Sequence, residues 1–310
     1  MHDVHQPCDP ASGREVTARV NPFQPRLRVR WPFGRPLRKR PPVGSKGFGL
    51  VEHAVLVIAV LLVLTLVILP PFLPYDPTAL VDQPLLPPSW VHPFGVDDLG
   101  RDLLSRVTYG MRTSIVSATL VITSGVIVGG IIGLVAGMVG GLVDAALMRL
   151  TDLFLALPGP LLVLAIVAAL GPSLEHTLIG VAVVWWPWYA RVVRGQVRAT
   201  VRMAHVETAR LVGLGQLQIA LRHVLPRAFG PVIVTASLDV GNVILLLASL
   251  SFLGLGSPDP ASELGAMTAR GLTYLLTNWW VAVIPAAAVF ILTFISNFAG
   301  DAIRDVMEAD

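Results

Sequence analysis

A chain of 310 residues with 54% hydrophobic and only 14% charged side chains, and a mean hydropathy of +0.70, cannot hide its apolar surface from water by folding on itself. A soluble globular domain is excluded and the class is integral membrane. The net charge of +3 is small but unevenly spread, and Cys8, the one cysteine, permits no internal disulfide.

Residues 1–47 differ from the rest. They hold eight prolines and ten Lys or Arg against three acids, Asp3, Asp9 and Glu15. With few clustered apolar residues this segment is expected to be a disordered basic tail. The run Arg35-Pro36-Leu37-Arg38-Lys39-Arg40 could bind nucleic acid or anionic lipid. Basic residues ahead of a first span more simply hold that end in the cytoplasm, so no nucleic-acid partner is expected. The basic region is too long for a cleaved signal, and no small-residue cleavage site follows the apolar run.

Ala54–Tyr75 is uncharged throughout, long enough for one span, and is closed by Pro70, Pro71 and Pro74. A loop at 76–110 follows with Asp76, Asp82, Asp97, Asp98 and Asp102 against Arg101 and Arg106. Its last part, from His92 to Arg106, reads as a turn entering a short amphipathic helix. Three of its acids, Asp97, Asp98 and Asp102, could hold a cation, but acids in a water-exposed loop without a histidine among them more often form a solvated face. No metal site is assigned. Residues 48–110 are thus a first span with its outer loop, ahead of a five-span core at 111–310.

Thr113–Val143 is uncharged and longer than one span needs, so it holds a helix plus part of a connection. Gly125, Gly129, Gly133 and Gly137 recur every fourth residue, which lines one helix face with glycine and lets a neighbouring backbone approach. Gly140-Gly141 breaks the helix. Beyond the polar turn at Asp144, Arg149 and Asp152, Leu153–Leu174 is a third uncharged run, again of one span's length, with Pro158 and Pro160 near its start. His176–Ala190 is shorter and ends in Trp185-Trp186-Pro187-Trp188-Tyr189. Interfacial aromatics and snorkelling arginines make it a fourth span. Ala228–Pro258 is uncharged apart from Asp239, and Gly271–Gly300 is a last uncharged run. The spans add up to an all-α polytopic protein with six transmembrane helices. The tail holds ten basic residues and the 191–227 loop seven, against two at 76–110 and one at 257–272, so both termini are expected in the cytoplasm.

Between the fourth and fifth spans lies a polar island with Arg191, Arg194, Arg198, Arg202, Arg210, Arg222 and Arg227. The first four fall at helical spacing and would make a cationic stripe suited to lipid headgroups. A short helix from about Ala204 to Leu211 is expected next, with Ala209 a small residue on its surface. Gly213 and Gly215 suit a turn needing positive φ or a close backbone approach. Pro226 is expected to stop the following segment at the membrane. A short helix between two spans, with small residues and a tight turn, is shaped to sit in another protein's groove.

Asp239 lies 12 residues past Arg227, about 18 Å along a helix at ~1.5 Å per residue and so near mid-membrane. A lone charge there costs about 2.5–3.5 kcal/mol. Asn242 shares its face. The two either satisfy each other or a neighbouring helix, or line a translocation path. No catalytic constellation and no Gly-x4-Gly-Lys-Ser/Thr phosphate loop is present, so neither enzyme activity nor a bound cofactor is expected of the chain. A stand-alone secondary transporter would need midplane coupling charges, and only Asp239 qualifies.

The pattern Glu207-x-Ala209-x3-Gly213-x9-His223-x-Leu225-Pro226 resembles the EAA loop of permease subunits of ABC importers. Thr208 replaces the usual second Ala, and His223 stands where an aliphatic residue is common. Gly95-Val96-Asp97-Asp98-Leu99-Gly100-Arg101-Asp102 is similar to that family's Gly-Thr-Asp-x-x-Gly-Arg-Asp. Tyr189–Arg194, Leu250–Gly256 and Asn297–Asp305 resemble blocks of its dipeptide, oligopeptide and nickel branch, while Leu264-Gly265 departs from the usual Trp-Gly. The resemblance spans about residues 50–310 and implies the type I importer permease fold in a prokaryotic cell membrane. It implies a second permease, two ATPase subunits that use ATP and Mg, and an extracytoplasmic solute-binding protein. Glu207 would contact the ATPase, Ala209 allow close fit, and Gly213 make the turn before Leu225-Pro226. The substrate expected is a di- or oligopeptide. The alternative is nickel or another chelated metal, since Trp188-Tyr189-Ala190-Arg191 and Leu238-Asp239-x-Gly241 resemble nickel-type members.

Overall fold

The computed structural model describes residues 50–309, and the basic tail lies outside them. All regular structure among the described residues is helical, with one isolated bridge pairing Val96 and Asp102. The long elements are α1 (Leu50–Ile68), α2 (Leu103–Val139), α3 (Gly141–Ala156), α4 (Gly159–Leu170) and α5 (Leu174–Val201). After the short α6 (Ala204–Leu211) and α7 (Gln216–Ile219), a π turn at Ala220–Val224 leads into α8 (Leu225–Phe252). The short α9 (Leu264–Gly271) and the long α10 (Trp280–Ala309) complete the bundle.

Among the described residues, three helical stretches, α2, Gln216–Phe252 and Trp280–Met307, are long and apolar enough to cross a membrane. Several boundaries differ from the sequence reading. The stretch before Thr113 holds no separate amphipathic helix: Asp102 caps α2 by accepting the Ser105 N–H at 2.8 Å, and nothing between Arg106 and Thr113 breaks the run. The third run is bent by 86° where Pro158 enters, and α4 beyond it has only 12 residues. Pro158 disfavours helical backbone at Leu157, which is extended. At about 1.5 Å per residue, α4 is too short to cross a core of about 30 Å alone. The fourth run is longer than its uncharged part, since α5 continues through Arg191, Arg194 and Arg198 to Val201.

The glycine stripe accounts for the closest helix pair. Cβ atoms built on Gly129 and Gly133 would collide with the Trp186 and Ala190 carbonyls of α5. Gly125 faces the Tyr189 ring and Gly137 faces Val197. Ala190 and Val193 are buried against this seam. Around it the core forms three clusters: a central one that includes Val121, Val163, Tyr189, Ile244 and Leu292, and one at each end of the bundle.

The seam predicts opposite signs for adjacent substitutions. Gly129→Ala puts a methyl into α5 backbone and lowers stability by roughly 1–3 kcal/mol. Gly130→Ala meets nothing within 4 Å, so its better helix propensity leaves stability equal or higher. Melting temperatures of the purified variants in detergent distinguish the two.

Candidate functional site

The residues singled out by sequence gather at three places. The first is α6. Its C-terminus is closed by two bonds of the Schellman pattern: Leu214 N–H to the Ala209 carbonyl (3.1 Å) and Gly213 N–H to the Arg210 carbonyl (3.0 Å). Gly213 sits at φ +87°, where a side chain is strained, and a Cβ there would touch nothing within 4 Å. The glycine is therefore required by backbone conformation rather than by a close approach. Gly215 has φ −66°, so the expectation of positive φ there is corrected; open space surrounds it too.

Ala209 also departs from expectation. It is 7% exposed and packs with Val206 against Val193 and Val197 of α5 and with Ile219, Val224 and Val232. The outer face of α6 is made instead by Glu207 and by Leu211 and Val212, which are 88% and 76% exposed. Leu225 and Pro226 open α8, but Pro226 does not stop a helix. Gln216–Phe252 runs through as one continuous helical stretch. Proline has no N–H and crowds the preceding turn. The chain widens there into the π turn, with the Leu225 N–H reaching the Ala220 carbonyl. His223 lies in that turn with its ring 6.3 Å from His205 of α6.

The arginine stripe is tied to protein. Asp144 at the start of α3 receives Arg194, through Nη2 at 2.8 Å and through Nε, and also Arg198. Asp152 receives Arg191 at 2.5 Å. These acids meet the part of α5 that continues beyond its apolar run. Arg191, Arg194 and Arg198 of the stripe are thus each paired with an acid of α3.

The second place is mid-bundle. Asp239 of α8 accepts the Tyr189 hydroxyl at 2.9 Å and the Trp185 indole N–H at 3.3 Å, both from α5. These two partners belong to a neighbouring helix; Asn242, exposed one turn on in α8, also hydrogen-bonds the carboxylate. No local signal could have revealed Tyr189, which lies 50 residues away.

The third place was not foreseen. The Asp97–Asp102 segment is not a solvated face: Asp97 and Asp102 are buried. Arg101 Nε donates to Asp97 at 2.7 Å, and the Asp102 carboxylate meets His92 at 2.8 Å. Arg106, wholly buried, stands 3.4 Å from Asp97 and donates to the carbonyls of Pro77, Pro260 and Ala261. Asp259, from the loop after α8, receives Arg101 at 3.2 Å and also Arg270 of α9. Burial first, and then the Arg101 charge, pull the Arg270 guanidinium below its usual pKa, against Asp98 and Asp97. The loop is also fastened by Glu263, which accepts the Ser251 hydroxyl at 2.5 Å and the Ser257 N–H at 2.9 Å. The legible signal was the interleaving of His92, Arg101 and Arg106 with the acids.

Residues 129–309 match the model of a family described as binding-protein-dependent transport system inner membrane component. Among curated proteins, the chain is 39% identical over 253 residues to the probable D,D-dipeptide transport system permease protein DdpC of Escherichia coli (strain K12). That match covers 81% of this chain and 85% of the relative. It is 38% identical to the di/tripeptide transport system permease protein DppC of Pseudomonas aeruginosa (strain UCBPP-PA14), over 76% of this chain and 80% of the relative. To the glutathione transport system permease protein GsiD of Escherichia coli O157:H7 it is 39% identical, over 76% of this chain and 78% of the relative. Among solved structures, an inward-facing form of the MetNI methionine ABC transporter matches with a TM-score of 0.52 at 19% identity. It covers 66% of this chain and 97% of the matched chain, a likeness of fold.

Burial separates the ion pairs by importance. Arg106→Leu strands three carbonyls and weakens the hold on Asp97, and is expected to cost about 3–5 kcal/mol. Asp152→Asn breaks an exposed pair worth about 0–1 kcal/mol. Thermal unfolding of the two purified variants against wild type checks both figures.

Proposed function

The chain belongs to the binding-protein-dependent transport system inner membrane components and is the permease subunit of an ABC importer; from that premise we propose that it carries di- or oligopeptides inward. The proposed complex has a second, similar permease, two ATPase subunits in the cytoplasm that use ATP and Mg, and an extracytoplasmic solute-binding protein. In this reading α1, α2, the bent α3–α4 pair, α5, α8 and α10 are the six spans, and both termini are cytoplasmic. The sorting of ends supports it. The 76–102 loop, the α4–α5 turn and the loop after α8 meet at one end, through Arg101–Asp259 and Leu174–Ser257. The α2–α3 break, the end of α5, α6 and the start of α8 share the other. That second end holds the seven-arginine segment, as the positive-inside rule requires of a cytoplasmic face.

One observation carries the mechanism: α6 exposes a charged and apolar outer face while its inner face is locked into the core. Glu207, Leu211 and Val212 are offered to an ATPase. Val206, fully buried, and Ala209 key the same helix to α5 and to the start of α8. A push on α6 is therefore delivered to two spans at once. A packed contact transmits displacement rather than absorbing it, since protein interiors are dense and stiff. Gly213, by ending α6 with a defined backbone turn, fixes the angle of the lever. Asp239 and Asn242 are read as lining the translocation path, with Tyr189 and Trp185 holding the carboxylate in place.

Gly213→Val forces a β-branched residue to φ +87° and misaims α6. In the complete complex in proteoliposomes, ATP hydrolysis should persist while uptake falls about tenfold or more; coupled uptake at the wild-type rate refutes the assignment. Asp239→Asn should change uptake and leave stimulation of ATP hydrolysis by the loaded binding protein intact. Uptake of dipeptides compared with nickel chelates by the same complex decides the substrate class.

A further inference from the structure

Beside the buried polar knot, the end of α8 and the facing side of α9 enclose a cleft of about 270 Å³. Asp259 and Arg270 stand in its wall with Gly254, Gly256 and Ala269. On the other side of Phe252, which lines both, lies a second, largely apolar cleft of about 360 Å³, lined by Leu245, Ala248 and Ser249 of α8. A charged cleft and an apolar one thus lie side by side, each near the lower end of the size of ordinary ligand pockets.

The ion pairs at the charged cleft share their partners. Arg101, Arg106 and Arg270 are held within 4.0 Å by two carboxylates, Asp97 and Asp259. Asp98 adds its charge from farther away, on the Arg270 side of a neighbouring cleft. One guanidinium nitrogen of Arg101, Nη2, is buried without a hydrogen-bond acceptor. The Arg270 and Asp259 side chains are 30% and 43% exposed, so this pair faces the cleft instead of being sealed beneath it. The partly exposed Arg270 presents its planar guanidinium fork to the cleft, and such a fork fits a carboxylate in two-point fashion.

Building on the peptide-permease reading, we propose that this cleft is a reception site for the C-terminal carboxylate of a short peptide. Arg270 takes the carboxylate, and the side chains of the peptide lie along the apolar cleft on α8. The site then stands between release from the binding protein and passage beside Asn242.

The test uses the complete complex in proteoliposomes with the binding protein present, and follows uptake of dialanine and of dialanine amide over a range of concentrations. Arg270→Gln should slow dialanine about tenfold, the size of one lost charge-assisted hydrogen bond, and leave the amide within about twofold. Arg270→Lys keeps a cation and should recover part of the loss. Equal slowing of acid and amide, or no slowing of either, overturns the proposal while leaving the permease reading standing. If the wild-type complex carries neither these compounds nor longer alanine peptides, the peptide reading fails first and the site falls with it; where only a longer peptide is carried, that peptide and its amide replace the pair. Where Arg270→Gln does not assemble, or the wild type carries no amide, Ala269→Trp decides: it fills the cleft without removing the guanidinium and should slow dialanine, and normal uptake by that variant overturns the proposal.

Discussion

The approach of α2 to α5 through glycine is the constraint on which the other contacts depend. In a bilayer there is no hydrophobic drive between apolar helices, because lipid tails are as apolar as leucine, so close packing must do the work of association. The seam at Gly125, Gly129, Gly133 and Gly137 brings two backbones together and fixes both the rotation and the height of α5. Each functional contact of α5 follows from that placement. Tyr189, buried on the seam, turns its hydroxyl to Asp239. One turn on, Val193 and Val197 form the bed on which α6 lies. Between them Arg194 reaches back to Asp144.

Charge sets the second constraint, and it acts differently at the two ends. At the α6 end the pairs are partly exposed, and they meet α5 where it continues beyond its apolar run. At the other end Arg106 is wholly buried, and its desolvation must be answered by several partners at once. Asp97 and three backbone carbonyls answer it. Those carbonyls come from segments far apart in sequence, Pro77 on one side and Pro260 and Ala261 on the other. Removing one partner leaves the others stranded, so the knot holds as a unit.

What could be read from sequence was what local chemistry dictates. The helix Ala204–Leu211, the turn at Gly213, the break at Gly140-Gly141 and the glycine stripe each follow from residue type and spacing. What could not be read depends on partners far along the chain. Ala209 looked like a surface residue because nothing local says that Val193 and Ile219 lie beneath it. Asp97 and Asp102 looked solvated because burial of an acid is set by the guanidinium and imidazole that meet it in space. The bend after Ala156 was signalled by Pro158 and Pro160, but apolar length alone argued for a straight span. Hydropathy counts residues that avoid water; it does not say whether they continue in one line.

The two ends of the bundle are joined by the same pair of helices. At the α6 end, α5 and α8 share one apolar cluster. At the far end they are tied again: the Thr177 hydroxyl donates to the Leu255 carbonyl at 2.5 Å, and the Leu174 N–H donates to the Ser257 hydroxyl at 3.3 Å. Between the ends, Tyr189 and Asp239 bind them at mid-height. Two helices joined at three levels resist sliding past one another. The loop after α8 is fastened to α8 through Glu263 and Ser251, and through Asp259 it also grips the knot built on the 76–102 segment. There the contacts differ in burial: the Asp259–Arg270 pair is partly exposed, whereas Arg106 is wholly buried.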